Sequence, residues 1–219
     1  MSNEEMNVTP NDVKKEGFNL KKEVFEWFYT IVIALVIAFL IKGFLFDFVV
    51  VDGPSMYPTL VHGDRLIITK LGYEPDSQDI IVLDSTYSDR TEYFENMGDL
   101  NFAEKCIEYF KLPSGLKRKY YVKRIVAMPG ETVDLVDNNV YVNGEPLDEY
   151  YYEGETFAYD SAVSFPFTVS EGHVFVMGDN RPQSKDSRSS QLGEVPFEAI
   201  LGKCSLRIWP LNSIGVLEH

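Results

Sequence analysis

Residues 120–131 read Tyr120-Tyr-Val-Lys123-Arg124-Ile-Val-Ala127-Met-Pro129-Gly130-Glu131, and this stretch decides the fold class. Its β-branched and aromatic residues, closed by Pro-Gly, are typical of a β-strand that ends in a turn. Strand alternation predicts that Lys123, Ile125 and Ala127 share one face. Burial among apolar residues disfavours the lysine charge and lowers its pKa, so the neutral amine can accept a proton. The alternative is an edge-strand lysine whose charge prevents aggregation.

The residues around this strand predict a mostly β domain over residues 47–216. Residues 85–119 differ, since Glu92–Lys111 has a helical composition, and we expect a surface insertion or excursion there. An Asn143-Gly144 hairpin signal lies within residues 131–172, which we expect to form a smaller cap subdomain. Short runs of Val, Ile, Tyr and Phe between turn residues predict further strands. These are Phe48–Val51, Arg65–Lys70, Asp79–Leu83, Thr132–Leu135, Asn139–Val142, His173–Met177 and Ala199–Trp209.

Residues 25–46 are almost uncharged and predict a transmembrane anchor, because their length matches a bilayer core. The alternatives are a buried core helix and a cleaved secretory signal. Apolar residues on every face argue against the first, and the lack of a following small-x-small site argues against the second. Lysines in the polar residues 1–24 outnumber the basic residues just after the span, which predicts a cytoplasmic N-terminus and an extracytoplasmic domain. Residues 217–219 are interpreted as a possible remnant of an expression tag.

The composition limits the classes of ligand. With 34 acidic and 20 basic residues the net charge is −14, which disfavours nucleic acid as a partner. Two cysteines without CxxC spacing and three scattered histidines provide no zinc ligand set, and no metal or cofactor is expected. Whether Cys106 and Cys204 form a disulfide stays open, as does the oligomeric state. We expect His62 and His173 to be structural and not catalytic.

Two loops carry the other candidates for chemistry. Gly53-Pro54-Ser55-Met56-Tyr57-Pro58-Thr59-Leu60 predicts a turn that presents the Ser55 hydroxyl beside backbone N–H groups, as a nucleophile and its oxyanion hole require. An ordinary turn is the alternative. The second loop is Gly178-Asp179-Asn180-Arg181-Pro182-Gln183-Ser184-Lys185-Asp186-Ser187-Arg188. Its composition predicts cross-ties between carboxylates, guanidinium groups and hydroxyls, or else a solvated turn.

Together with the N-terminal anchor, these segments resemble those of the bacterial type I signal peptidases, membrane-bound serine endopeptidases that remove signal peptides from exported proteins. The resemblance rests on four segments in the family's order, namely Ser55–Leu60, Gly63-Asp64-Arg65-Leu-Ile-Ile, Lys123–Glu131 and Gly178–Arg188. It implies a signal-peptidase-like antiparallel β catalytic domain after one transmembrane helix. It also implies no cofactor, with signal peptides and membrane lipid as partners.

The resemblance implies roles for individual residues. Ser55 would be the acylated nucleophile and Lys123 its general base, while Ser184 orients the lysine amine. Asp186 and Arg188 would form a salt-bridged pair that shapes the site. The remaining supporting residues are Arg124, Asp179, Asn180 and Arg181, and the turn at the oxyanion hole comprises Gly53, Pro54, Met56 and Pro58. Some family members have a serine where this chain has Gly53, so the second oxyanion donor is not identified.

The implied mechanism is a Ser–Lys dyad that cleaves an extended substrate after small residues one and three positions before the cut. Two alternatives stay open. A self-cleaving repressor-type protease shares the dyad, but no DNA-binding helical domain is visible. A catalytically silent, anchored β-domain that binds exported peptides would be expected to lack the serine or the lysine.

Overall fold

The computed structural model describes residues 20–159 and 163–217. By its contacts the chain divides into two units, residues 1–41 and 42–219. Residues 1–19, most of the expected cytoplasmic segment, lie outside the described residues.

The first unit contains helix α1, Leu20–Leu40, which is followed by a π-helical turn at Ile41–Leu45. None of the 21 residues of α1 is buried, and no polar stripe runs along its apolar part. It is the one helix of the described chain that is long and apolar enough to cross a membrane. The described helix also includes residues 20–24, before the expected anchor, because lysine and glutamate are good helix formers too.

The second unit is built from two antiparallel β-sheets. The larger has the strand order β1-β2-β11-β3-β4-β9-β10 with β12 paired to β11, and the smaller has the order β7-β6-β5-β8. The expected mostly antiparallel β class is confirmed. The strands are β1 (Phe46–Val50), β2 (Arg65–Thr69), β3 (Ile80–Asp84), β4 (Tyr120–Ala127), β5 (Thr132–Val136), β6 (Asn139–Val142), β7 (Glu145–Pro146), β8 (Phe167–Thr168), β9 (His173–Met177), β10 (Val195–Pro196), β11 (Ile200–Trp209) and β12 (Gly215–Val216).

Strand β3 lies at the centre of the larger sheet and is buried at every position. Its alternate residues enter two different hydrophobic clusters, Ile81 and Leu83 in one and Ile80 and Val82 in the other. Each such side chain contributes about 1.5–3 kcal/mol of burial free energy relative to exposure. The larger sheet is therefore covered on both faces at β3. The adjacent strand β4 pairs with β3 and is held in place by this packed strand.

Strand β4 follows the expected alternation only in its first part. The ladder between β4 and β9 shifts register between Ile125 and Ala127. Ala127 then lies in the same cluster as Val126, while Met128 packs with Ile125. The expectation that Ala127 shares a face with Ile125 is wrong, because a bulge inserts one residue and reverses the faces that follow.

Residues 85–119, hereafter the excursion, contain two short α-helices and not one helical segment, followed by a 3-10 turn at Ser114–Leu116. Helix α2 spans Tyr87–Glu95 and helix α3 spans Phe102–Lys111. The break falls at Gly98, whose φ of +79° is incompatible with a helix. Asn101 then starts α3, since its side chain accepts the Glu104 N–H and the Glu104 carboxylate accepts the Asn101 N–H.

Other strand boundaries differ from the sequence prediction by one or two residues. β1 begins at Phe46, which pairs with Thr69, and not at Phe48. The smaller sheet occupies residues 132–168, within the span expected for a cap subdomain. Leu217 is buried in a core cluster and its N–H donates to the Ser205 carbonyl at 3.1 Å. Glu218 and His219 lie outside the described residues.

Candidate active site

Two backbone hydrogen bonds join the start and the end of the turn that carries Ser55. The Val51 N–H donates to the Asp64 carbonyl at 2.9 Å, and the Gly63 N–H donates to the Val51 carbonyl at 2.9 Å. Met56, directly after Ser55, is 1% exposed, and it enters the core cluster below the turn. The backbone of Ser55 is therefore fixed from beneath while its side chain remains half-buried.

Asp64 organises the second half of this turn. Its buried carboxylate accepts the Val61 N–H at 3.0 Å and ion-pairs with Arg207 at 3.0 Å. Arg207 lies on β11, and its guanidinium also donates to the Thr59 carbonyl at 3.2 Å. The Gly63-Asp64 segment thus ties the Ser55 turn to the central sheet.

Ser55 and Lys123 meet across the site. The Lys123 Nζ lies 2.9 Å from the Ser55 Oγ and donates to the Val122 carbonyl at 2.8 Å. Lys123 is 3% exposed, and burial lowers its pKa from 10.5 to about 8, against the opposing charges of Asp186 and Asp179. A hydroxyl and an amine at this distance can exchange a proton, provided that the amine is neutral.

The strand that positions Lys123 also positions Arg124, which points to the opposite face. Arg124 binds Asp179 through two bonds, Nε to Oδ1 at 2.9 Å and Nη2 to Oδ2 at 2.8 Å. Both side chains are about 1% exposed. Asp179 also accepts the Thr59 hydroxyl, so one buried carboxylate joins β4 to the Ser55 turn.

Asn180 holds the turn from its other side. Its N–H donates to the Ser55 carbonyl at 3.0 Å and its Nδ2 donates to the Pro54 carbonyl at 3.1 Å. The loop that contains Asp179 and Asn180 is therefore bonded to the backbone on both sides of the Ser55 Cα.

Asp186 and Arg188 form a buried ion pair, with Nη2 to Oδ2 at 2.8 Å and Nε to Oδ1 at 2.9 Å. The same carboxylate accepts the Gly178 N–H at 3.1 Å, and Arg188 donates to the Arg181 carbonyl at 2.7 Å. These bonds fold the loop onto its own start. The loop is cross-tied and not solvated.

Arg181 extends outward from the loop toward residues of the smaller-sheet region. It donates to the Thr156 hydroxyl at 2.9 Å and ion-pairs with Glu149. Burial raises the pKa of the Glu149 carboxyl, whereas the charge of Arg181 lowers it. A single arginine thus fixes residues 149–156 against the loop of Gly178–Arg188.

Ser184 does not make the hydrogen bond expected of it. It is fully buried, and its Oγ has no hydrogen-bond partner among the residues that the structure describes. It packs against Gly178, where a Cβ would collide with the Ser184 side chain and the Ser55 carbonyl oxygen. The Val122 carbonyl is the group that orients the Lys123 amine here, and a role for Ser184 stays a prediction.

The backbone around Ser55 retains unbonded N–H donors in the described part of the chain. Within residues 20–159 and 163–217, no acceptor is bonded to the Ser55 N–H. The Gly53 N–H is engaged by the exposed His62 ring, Nδ1 at 3.3 Å. Gly53 has a φ of +96° with open space around it. Neither Pro54 nor Pro58 has an N–H to donate.

Several residues of the site were not predicted from the sequence. Tyr151 stacks on the Arg124 guanidinium at 4.1 Å, and its hydroxyl donates to the Gln78 side chain at 3.3 Å. The Gln78 carbonyl accepts a bond from Arg124 at 3.0 Å. The sequence does not indicate that Tyr151 packs on Arg124, because Tyr151 is one of several adjacent tyrosines and β4, which carries Arg124, is distant in sequence.

None of the histidines and cysteines in the described chain is bonded to Ser55 or Lys123, and His62 reaches the site only through the Gly53 N–H. His173 Nδ1 faces the Glu171 carbonyl at 3.0 Å, and His62 faces Asp52 at 3.3 Å. Cys106 is exposed and Cys204 is buried, and both are free thiols. In the described ranges no group of His, Cys, Asp and Glu is arranged to hold a metal ion.

Comparison with known proteins places this geometry in a family. The family model described as "Signal peptidase, peptidase S26" matches residues 24–209. The chain belongs to the signal peptidase family, peptidase S26. The match includes the turn of Ser55, the strand of Lys123 and the loop up to Arg188.

Individual signal peptidases align along nearly the whole chain. Signal peptidase I of Bacillus licheniformis is 34% identical over 92% of this chain and 97% of its own length. Signal peptidase I S of Bacillus subtilis (strain 168) is 34% identical over 92% of this chain and 98% of its own length. A crystal structure of a signal peptidase I from Enterococcus faecalis V583 is 27% identical, covering 60% of this chain and 97% of that one, with a TM-score of 0.38.

The family assignment confirms the expected enzyme class, a serine peptidase of the signal peptidase I type and hence a hydrolase. The apolar helix α1 is consistent with the membrane anchor of such an enzyme.

Proposed function

We propose that this chain cleaves signal peptides from exported preproteins, with Ser55 as nucleophile and Lys123 as general base. The observation that carries the proposal is the contact of the Lys123 Nζ with the Ser55 Oγ at 2.9 Å in a buried setting. Family membership supports the substrate class, and the geometry supports the assignment of the two roles.

In the reactive form the Lys123 amine is neutral and the Ser55 O–H donates to its lone pair. The amine keeps its orientation because one of its N–H groups donates to the Val122 carbonyl. As the Ser55 Oγ attacks the scissile carbonyl, its proton moves to Nζ and a tetrahedral oxyanion forms. The lysine then gives this proton to the departing amine, which leaves an acyl-enzyme. A water molecule repeats the proton transfers and releases the carboxylic acid.

We propose the Ser55 N–H as one donor to the oxyanion, because its backbone is fixed on both sides and its own hydrogen-bonding capacity is unused. Fixed donors aimed at the developing charge are usually the largest electrostatic contribution to such a reaction. Gly53 provides no side-chain hydroxyl, so a second donor must come from another group.

The proposed substrates have small side chains one and three positions before the cut. An extended peptide places alternate side chains on the same side, which suits recognition along a strand edge beside the turn of Ser55. We further propose that α1 crosses the membrane once with the N-terminus in the cytoplasm. The β domain then lies on the extracytoplasmic face, where the apolar segment of a signal peptide is available in the bilayer.

The test uses the full chain in detergent and a preprotein with an Ala-x-Ala site. Wild type should cut after the last alanine, whereas Ser55→Ala and Lys123→Ala should be inert yet folded by circular dichroism. Matched controls are Ser77→Ala and Lys117→Ala, which alter an exposed serine and an exposed lysine outside the site. Binding of the peptide by wild type without cleavage would contradict the proposal and favour a binding domain. Cleavage by folded Lys123→Ala at the wild-type rate would exclude the dyad.

A further inference from the structure

Helix α3 presents its apolar side to the outside of the domain. Phe102 and Phe110 are each 84% exposed, Ile107 is 54% exposed, and α3 has no buried residue. The Glu108 side chain, on the polar side, is only 22% exposed. This arrangement is the reverse of a surface helix in a water-soluble protein, which buries its apolar stripe.

The charges on α3 follow a definite order around the helix. At about 100° per residue, the apolar side chains of α3 fill an arc of about 160°. Lys105 and Lys111 lie at the two borders of that arc, and Glu104 and Glu108 lie at the centre of the polar side. Lysines at the borders can extend their charge to headgroup level while their stems cover apolar surface. Such a helix is suited to lie in a membrane interface.

The excursion carries six acidic and six basic residues, and half of the basic ones form a run that an anionic lipid surface would attract. The net charge of the chain is −14, yet three consecutive basic residues, Lys117, Arg118 and Lys119, follow α3. Each basic residue near an anionic membrane surface contributes about 1 kcal/mol of attraction.

The sheet register brings the excursion to the end of the sheet where β1 begins. Phe46 pairs with Thr69, Thr69 pairs with Lys203, and Lys203 pairs with Ile81. The excursion leaves β3 three residues later, after Asp84, in the direction of the same end. β1 follows helix α1 after the five residues Ile41–Leu45, so this end is the closest along the chain to the apolar helix.

We propose that α3 is a second membrane contact that lies in the bilayer interface, with Phe102, Ile107 and Phe110 at the boundary of headgroups and acyl chains. Lys105 contacts anionic headgroups, while Lys111, at the other border of the arc, is ion-paired with Glu108 at 2.8 Å. The proposal rests on membrane anchorage through α1, as proposed above, and is independent of peptidase activity. It gives the excursion a function that the Ser–Lys site does not require.

The chain provides its own labelling site for a test. Cys106 lies near the middle of the apolar arc and is exposed, whereas Cys204 is fully buried. The full-length protein is labelled at Cys106 with the environment-sensitive fluorophore NBD. It is then reconstituted into vesicles of phosphatidylcholine and phosphatidylglycerol that contain nitroxide-labelled acyl chains. The matched control carries Cys106→Ser with Glu108→Cys, which moves the label to the opposite side of α3.

We expect lipid nitroxides to quench the label at residue 106 several-fold more than the label at residue 108. Replacing Phe102 and Phe110 by serine should remove this difference. Equal quenching at both positions would overturn the proposal. A blue-shifted but unquenched label at residue 106 would also overturn it, since protein and not lipid would then cover the helix.

Flotation and cleavage separate this proposal from the previous ones. If the protein floats with the vesicles and residue 106 is unquenched, α3 is not a membrane contact although anchorage holds. If the protein does not float, anchorage fails and this proposal fails with it. Preprotein cleavage by the same sample reports peptidase function independently of either result.

Discussion

The rate of peptide cleavage should rise with pH through the titration of Lys123. Its pKa is lowered from 10.5 to about 8, chiefly because burial removes water from the ammonium group. Asp186 and Asp179 oppose this shift by stabilising the charge. Only the neutral amine can accept the Ser55 proton, so kcat/KM should follow the neutral fraction of the lysine.

The size of the effect follows from the two pKa values. At pH 7 a lysine of pKa 10.5 is neutral in roughly 0.03% of molecules, and a lysine of pKa about 8 is neutral in roughly 10%. Burial therefore raises the reactive fraction about 300-fold, which corresponds to about 3 kcal/mol. Since the unfolded chain binds the lysine proton more tightly, folding stability should also rise by about 3 kcal/mol between pH 8 and 10.5.

The assay measures kcat/KM for an Ala-x-Ala peptide from pH 6 to 10.5, with near-UV circular dichroism at each pH. We expect about a tenfold rise per pH unit below pH 8 and a plateau above about pH 9. His62→Ala should keep the midpoint, because the His62 ring contacts the Gly53 N–H and Asp52 and not Lys123. A rate that is constant from pH 6 to 10 would refute the neutral-lysine mechanism. A rate that still rises tenfold per unit at pH 10 would refute the lowered pKa.

Three substitutions test other parts of the site. Asp179→Ala leaves Arg124 buried without its carboxylate and should lower the free energy of unfolding by about 3–5 kcal/mol in denaturant titration, and a loss below about 1 kcal/mol would contradict the role of the pair. Gly178→Ala should lower kcat about 100-fold, because the added Cβ displaces the Ser55 backbone. The control Gly115→Ala, at a position with open space around it, should leave kcat unchanged. Equal kcat values for the two variants would show that the Ser55 turn relaxes around the added Cβ. His173→Ala should keep cleavage within about twofold of wild type, since its Nδ1 faces the Glu171 carbonyl and not the Ser55–Lys123 pair. Complete loss of activity in a folded variant would make this histidine catalytic.

The sequence predicts strands best where turn residues follow the last strand residue closely. Tyr120–Ala127 stops at Pro129-Gly130, and Asn139–Val142 stops at Asn143-Gly144; both spans agree with the structure. β1 was misplaced because Phe44, Leu45 and Phe46 continue the apolar run without a turn residue, so local composition does not separate helix from strand. The reversal of faces after Ile125 depends on the register with β9, which no local pattern encodes.

The site shows the same division between local and long-range information. The Ser55 and Lys123 atoms that meet are 68 residues apart in sequence, and their pairing was inferred from the resemblance to a family. Arg181 binds Thr156 and Glu149, and no sequence motif marks the region where these two partners lie. Ser184 had a role by resemblance, yet its hydroxyl position depends on packing against Gly178, which only the three-dimensional structure reveals.

The two ends of the excursion are held side by side. Asp84 pairs with Tyr120 in the ladder of β3 and β4, and the Ser85 N–H donates to the Lys119 carbonyl at 2.8 Å. Arg90, on α2, adds an ion pair to Asp84, the last residue of β3 before the excursion. Because these bonds fix the strand ends, the length of the intervening chain adds only a slowly growing loop-closure entropy. The excursion can therefore be replaced without disturbing the strands that it connects. A two-residue hairpin turn in its place would preserve the register of β3 and β4 and the position of Lys123.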